Sequence, residues 1–403
     1  MNQDEFIEQL KEKIVDTVSR CRNCNFCYSV CPLFESTRGF QIQGPSGIMQ
    51  AIYYAIRWDE MHGENRQALK DILYGCTTCY SCVLKCKSSS SGVPLLDAIE
   101  GGRELLVELM MGPMPGHIKI LESLKKTGNP YGEPASKRLA WLKDLEKNGP
   151  LHYKLLPGED AEILLYVGCT PSYNEAIQNV AQSVVKLLER IHADYGILRA
   201  EECCGSPAKR IGDEGLFEDL SHKNLNAFRE CGVQKIITIS PHCYNAFINE
   251  YPEAIHTFKV QQYTEFFSQA IERKELIPRS KIENVLTYQD PCYLGKRNAV
   301  YEDPRKILKS IPGVTFVEMK RNRDNSLCCG GGGGRMWIEI DEIKRLSEIR
   351  VQDALDVGAE VIAAGCPWCH IQLEDAIKTT DNEGRIAVKE VAELLAESAI
   401  SRA

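Results

Sequence analysis

The sequence predicts an α plus α/β chain, in which an all-helical N-terminal module precedes two duplicated α/β domains. Three observations predict this. Ile48, Ile52, Ala55 and Ile56 recur at helical spacing, with no strand-type alternation around them. Beyond residue 160, short apolar runs of β type alternate with helical stretches, the pattern of a parallel sheet covered by helices. Those runs and the cysteines that follow them repeat at an offset of 123 to 126 residues, which indicates duplication.

A length of 403 residues allows two to four domains, each with its own core. Hydrophobic content of 43% and charged content of 26% are those of a globular protein. A net charge of −8 argues against a nucleic-acid partner. No apolar run approaches the roughly 20 residues of a membrane span. Met1 to Lys13 mixes acidic, basic and apolar residues like an amphipathic helix and lacks the apolar centre of a secretory signal. With 18 cysteines and no export signal, a reducing compartment is expected, and the cytoplasm is the expected location, with any membrane association made through a partner.

The helical module is expected over residues 1–100. It contains two cysteine quartets, Cys21, Cys24, Cys27, Cys31 and Cys76, Cys79, Cys82, Cys86, both spaced C-x2-C-x2-C-x3-C. Thiolates at this spacing hold 4Fe–4S cubanes, three ligands wrapping one cluster while the fourth reaches the neighbouring one. Cys21, Cys24 and Cys27 are therefore assigned with Cys86, and Cys76, Cys79 and Cys82 with Cys31. Zinc sites present pairs of ligands across a longer loop, and disulfide frameworks belong to small secreted chains. Pro32 follows the first quartet, but Lys87 takes that place in the second, a change of local geometry rather than of ligation. The module is expected to close after a turn at Ser88–Ser91 and an apolar stretch at Leu95 and Leu96.

Residues 101–160 carry Gly112-Pro113, Pro115-Gly116, Asn129-Pro130 and Pro157-Gly158, the punctuation of a connector with short helices. Its stripe of Leu105, Leu106, Leu109 and Met110 is open to two readings, internal packing or a face for a partner.

The first α/β domain is expected over 161–280. Ile163 to Val167 delivers Cys169, Cys203-Cys204-Gly205 follows a helical stretch, and Lys235 to Ile239 leads to Ser240-Pro-His-Cys243. The second is expected over 281–403: Val285 to Tyr288 delivers Cys292, then come Cys328-Cys329-Gly330, and Glu360 to Ala363 leads to Cys366-Pro-Trp-Cys369. Ligands just beyond strand C-termini stand where open α/β sheets place their sites.

Adjacent cysteines rarely bridge each other, because the geometry is strained, but they can give two thiolates to one cluster. The second repeat supplies five, Cys292, Cys328, Cys329, Cys366 and Cys369, one more than a cubane needs. A fifth thiolate implies an opened or bridged cluster and marks the candidate catalytic site. Gly330, Gly331 and Gly332, in a run reaching Gly334, are candidate cofactor-binding residues, their N–H groups available to sulfur, with room for a substrate beside them. The first repeat supplies Cys169, Cys203, Cys204 and Cys243, enough for one further 4Fe–4S cluster, with Ser240 where Cys366 stands. Cys231 matches no ligand position. His242 and His370 adjoin the motifs as hydrogen-bond donors to sulfur or proton relays, or as structural residues; Trp337 and Trp368 read as packing.

The quartets together with the tandem C-C-G repeats resemble the heterodisulfide reductase family, in particular its fused catalytic subunit. The resemblance covers nearly everything except 101–160. It implies a helical dicluster ferredoxin-like domain with two cubanes, then two cysteine-rich CCG domains. It further implies a noncubane 4Fe–4S cluster on the five-cysteine motif that cleaves a disulfide in one-electron steps, and an anaerobic oxidoreductase subunit. Expected partners are other redox subunits (a flavoprotein, a dehydrogenase or a membrane cytochrome) and a disulfide or thiol substrate. Relatives with this outline also serve as pure conduits, from electron-transferring flavoprotein, lactate or glycolate oxidation or benzoyl-CoA reductase assemblies, to quinone-linked or low-potential acceptors. Ser240 puts a second noncubane cluster in doubt.

Overall fold

The computed structural model describes residues 2–59, 61–88, 92–147, 149–251, 257–340 and 344–400. The chain divides into two compact units. One comprises the chain up to Glu122 with Pro207–Phe217 and Leu327–Ile349, and the other comprises Ser123–Ser206, Glu218–Ser326 and Arg350 onwards.

The first unit is helical. Four helices, Gln3–Ser19, Pro45–Arg57, Gly63–Gly75 and Leu95–Glu108, pack around Ile14, Ile48, Ile52, Leu73, Ile99 and Leu106, all nearly inaccessible. Ile48, Ile52 and Ala55 are buried as their spacing predicts, with Met49 beside them. The closure expected near residue 100 falls inside the helix Leu95–Glu108, because Leu105 and Leu106 complete this core rather than begin a connector. Of the apolar stripe, Leu105, Leu106 and Leu109 pack internally and only Met110 is exposed. Of the turn expected at Ser88–Ser91, Ser88 is described and buried, and Ser89 to Ser91 lie outside the described residues.

The second unit holds two all-parallel sheets. In the first, β1 (Lys154–Leu156), β2 (Ile163–Tyr166), β3 (Tyr195–Leu198), β4 (Lys235–Thr238) and β5 (Lys259–Gln262) run in the order β1-β3-β2-β4-β5. In the second, β6 (Val285–Gln289), β7 (Thr315–Phe316), β8 (Val361–Ala364) and β9 (Ala387–Glu390) run in the order β7-β6-β8-β9. Without β1 the two orders are the same, so the duplication extends to topology. Strands buried on both faces need continuous apolar runs, and Ile163–Tyr166 and Val361–Ala364 are buried at every position. The helix after the last strand begins in both sheets with a capping box, Gln262 with Glu265 and Glu390 with Glu393. One core joins the halves, with Val184, Leu188 and Phe267 from the first and Ile307, Leu308 and Leu395 from the second. Among the described residues no helix is long and apolar enough to cross a membrane.

Candidate metal centres

All eighteen cysteines are described, and none forms a disulfide. In the first unit the two quartets share a backbone turn at their second cysteine. The residues before and after the second cysteine are left-handed in both: Asn23 and Asn25 at φ +50° and +61°, Thr78 and Tyr80 at +51° and +70°. A β-branched residue such as Thr78 adopts that region only where its surroundings impose it. The effect is to turn the loop around its own centre, and the Thr78 N–H points back to the Cys76 sulfur at 3.4 Å.

The fourth cysteine of each quartet lies with the other quartet. Cys31 lines a mainly apolar cavity with Cys76, Cys79 and Cys82. Cys86 lies close enough to Cys21 for its charge to raise the Cys21 thiol, which burial already raises, and it accepts a hydrogen bond from the Val93 N–H at 3.3 Å. Four sulfurs in an apolar cavity, with N–H groups directed at sulfur, fit a thiolate-ligated cluster. Pro32 opens the short helix Pro32–Ser36, whereas no helix follows Cys86 at Lys87.

Arg103 is a residue of this site that the sequence does not mark. Its side chain is fully buried. It donates to Leu73 O (3.2 and 2.7 Å), Cys76 O (2.7 Å), Arg210 O (2.6 Å) and Gly333 O (2.9 Å). A guanidinium at the end of the helix Gly63–Gly75 satisfies carbonyls that the helix leaves open. It also opposes burial at Cys76, whose thiol is raised to about 11. The hydrogen bond to Gly333 ties the glycine run to the Cys76 loop, and the fit is close. A Cβ on Gly332 would lie 2.5 Å from Thr77 O, and one on Gly333, at φ +64°, would lie 2.3 Å from Cys76 O. The space expected for a substrate beside Gly332 and Gly333 is therefore filled by backbone. At the start of the run, Gly330 directs its N–H to the Cys328 sulfur at 3.4 Å. Further along, His117 Nε2 meets Gly334 O at 2.9 Å. Trp337 carries its O to within 2.2 Å of where a Gly116 Cβ would stand, consistent with packing.

In the second unit, Cys169 follows β2, Cys203 and Cys204 follow β3, and Cys243 follows β4. All four are buried. Their side chains adjoin in series, Cys169 beside Cys203, Cys203 beside Cys204 and Cys204 beside Cys243. Contact with Cys203 and burial hold the Cys169 thiol well above its ordinary range. Four adjoining sulfurs suit metal capture, since metal ligation displaces thiol protons. Glu201 clamps the site. It forms a buried ion pair with Arg138 and accepts from the N–H groups of Val167 (2.9 Å) and Gly168 (2.8 Å), the residues that lead into Cys169. In the second repeat Asp290 likewise forms a buried ion pair, with Arg305 at 2.7 and 2.8 Å, and accepts from the Arg323 N–H at 2.8 Å.

Cys292 follows β6, and Cys366 and Cys369 follow its neighbour β8, all three buried. Cys328 and Cys329, also buried, belong to the helical unit. Ser240 and Cys366 occupy the same place but do different work. Ser240 Oγ accepts from the His242 N–H at 3.2 Å and caps the helix Pro241–Asn245, whereas the Cys366 side chain makes no cap at Pro367–Thr379.

The His242 ring lies between Tyr293 and Trp368, 4.0 Å from each by ring centroid. Trp368 in turn donates to Thr170 Oγ1 at 3.0 Å. Each of these residues adjoins a motif cysteine, so the aromatic stack packs the cysteine segments of the two repeats together. His370 faces Glu390, which holds its pKa above the ordinary value despite burial. Cys231 is a buried thiol at the end of Glu214–Glu230.

Comparison with known proteins finds matches over the cysteine-bearing stretches. Residues 17–90 match a 4Fe-4S dicluster domain, and residues 163–248 and 286–374 each match a cysteine-rich domain, CCG. The chain is 36% identical over 385 residues to "Probable iron-sulfur-binding oxidoreductase FadF" of Bacillus subtilis, covering 91% of this chain and 52% of that one. It is 33% identical over 336 residues to "EtfAB:quinone oxidoreductase" of Syntrophomonas wolfei, covering 81% and 46%. It thus spans about half the length of these two relatives. A third relative, from Methanosarcina barkeri, belongs to a dihydromethanophenazine:CoB–CoM heterodisulfide reductase. The two are 28% identical over 402 residues, covering 94% of this chain and 93% of that one.

Proposed function

The chain belongs to the family of iron–sulfur oxidoreductases that joins a 4Fe-4S dicluster domain to two cysteine-rich domains, and from this premise we propose that it is the electron-transfer subunit of a larger redox complex. In this reading its helical module passes single electrons to or from a noncubane site that acts on a disulfide or thiol pair. The module holds two cubanes, on Cys21, Cys24, Cys27, Cys86 and on Cys76, Cys79, Cys82, Cys31. Cys169, Cys203, Cys204 and Cys243 hold a further 4Fe–4S cluster, and Cys292, Cys328, Cys329, Cys366 and Cys369 hold the noncubane one.

The observation that carries electron transfer is the gathering of Cys31 with Cys76, Cys79 and Cys82, since crosswise ligation brings two clusters close together. Disulfide chemistry is supported by the fifth cysteine and by Cys366, whose side chain has no capping task. When bound, a five-thiolate cluster supplies one-electron chemistry at an iron able to change its ligands. Reducing a disulfide takes two electrons and two protons and yields two thiols, so the electrons must arrive one at a time.

A second reading is a conduit without substrate chemistry, joining a flavoprotein or dehydrogenase to a quinone-linked or low-potential partner. The close packing of Gly332 and Gly333 favours it, as does the name of the relative from S. wolfei. Electron paramagnetic resonance of the oxidised holoprotein, titrated with candidate thiols, separates the two. The disulfide reading expects a thiol-dependent change in one signal, lost in Cys328→Ala, with the cubane signals unmoved. No change with any thiol, in a complex that still transfers electrons, leaves the conduit.

Crosswise ligation has its own test. Cys31→Ala, although in the first quartet, should abolish the signal of the second quartet's cluster and cost up to about four irons per chain. Loss of the first quartet's signal alone would refute the pairing.

A further inference from the structure

The chain is acidic as a whole, yet its two ligand-bearing stretches carry basic and no acidic side chains. No carboxylate occurs in the sequence between Asp16 and Glu35, nor between Asp71 and Asp97, and these two stretches supply every ligand of the helical module. The loops meet at Ser88, whose hydroxyl donates to Arg20 O at 2.9 Å and accepts from the Arg22 N–H at 3.3 Å. Arg22, Lys85 and Lys87 are exposed, and among the described residues they make no ion pair. Arg20 is paired to Asp16 on the surface.

The two loops of this basic collar also carry two solvent-facing apolar side chains, Phe26 at 59% and Leu84 at 44% exposure, one from each ligand loop. Cys24, between Arg22 and Phe26, is the one exposed cysteine of the chain. Exposed apolar side chains at a redox site among mainly basic neighbours are the anatomy of an electrostatically steered, transient protein contact. Charge complementarity fixes the kind of occupant.

We propose that this collar is the docking face for an acidic electron-carrier protein that exchanges single electrons with the cluster of Cys21, Cys24, Cys27 and Cys86. In the forward step the carrier's reduced centre loses one electron and this cluster gains it, and no atom is transferred. The proposal rests on the cluster reading above. An anionic membrane surface is the competing occupant for a basic patch. The exposed apolar residues sit on the ligand loops themselves, which favours a protein that must approach the cluster.

The test uses the full chain, reconstituted without oxygen, and a reduced plant-type 2Fe–2S ferredoxin as the acidic probe. Stopped-flow rates of electron transfer are read from about 50 mM to about 500 mM salt. The wild-type rate should fall about tenfold or more across this range. Arg22→Glu, Lys85→Glu, Lys87→Glu in one chain should be slower by about tenfold or more at low salt and nearly insensitive to salt. These exposed positions spare the core, and unchanged iron content and resonance spectra verify intact clusters. Salt-insensitive wild-type transfer, or equal rates in the variant, overturns the docking face. If the variant instead loses binding to phosphatidylglycerol vesicles while its ferredoxin rate is unchanged, the patch serves a membrane and the proposal fails. A wild-type chain that takes up no iron at this quartet defeats the cluster reading, and the docking face with it.

Discussion

Cys366→Ala removes up to about four irons per chain and abolishes any thiol-dependent signal, whereas Ser240→Ala, at the equivalent position of the other repeat, removes none. The difference follows from what each side chain does. Ser240 Oγ is committed to the His242 N–H at 3.2 Å as a helix cap, so losing it should cost about 1 kcal/mol of stability and no metal. Cys366 occupies the same place at the head of its helix without capping it, which leaves its sulfur available to a cluster. Iron analysis and resonance spectra of the two purified variants decide the matter. Equal iron loss at both positions would make Ser240 a ligand and the two repeats alike.

Arg103→Gln lowers the reduction potential of the cluster on Cys76, Cys79, Cys82 and Cys31 and leaves that of the other cubane nearly unchanged. The buried guanidinium donates to neutral carbonyls, and its charge acts on Cys76. Reduction adds one electron there, and a nearby cation favours it. At ~8 Å and an effective dielectric of about 20, a unit charge contributes about 2 kcal/mol, or about 90 mV for a one-electron couple. Glu100, which acts on Cys76 with the opposite sign, gives a control: Glu100→Gln should raise the same potential. A redox titration followed by resonance spectroscopy measures both. Shifts of the same sign in the two variants would mean that structural damage, not charge, is being read, and no shift in either would show that the charge of Arg103 does not tune this cluster. Arg103→Lys keeps the charge while losing most of the hydrogen bonds, and should stay nearer the wild-type potential.

The exchanged fourth cysteines show how far spacing alone reaches. C-x2-C-x2-C-x3-C assigns Cys31 to the other quartet through the known cross-ligation of that spacing, and the cavity groups it with Cys76, Cys79 and Cys82. The duplication is equally legible, since buried parallel strands need unbroken apolar runs and the cysteines recur in register. β1, β3, β5, β7 and β9 escape the sequence, because β1, β5, β7 and β9 are partly exposed edge strands without an unbroken apolar run and Gly196 interrupts the run of β3. The boundary expected near residue 100 is misplaced for a related reason: Pro and Gly mark turns, but they do not reveal which core claims Leu105 and Leu106.

The sequence by itself determined the cysteine inventory and the two-plus-two organisation of the cysteine motifs, because residue type and spacing are local properties of the chain. Tertiary structure alone decided which groups surround those ligands. Nothing in the helix Leu95–Glu108 distinguishes Arg103 from a solvated arginine until Leu73, Cys76, Arg210 and Gly333 bring their carbonyls to it. Glu201 stands two residues before Cys203, yet only folding brings it to Arg138 and to the N–H groups ahead of Cys169. Even the five glycines, whose composition suggests open space, carry Gly332 and Gly333 against Thr77 and Cys76. The physical reason is the same in each case: a buried charge or bare backbone finds its partners across long stretches of chain, and no local pattern encodes which ones.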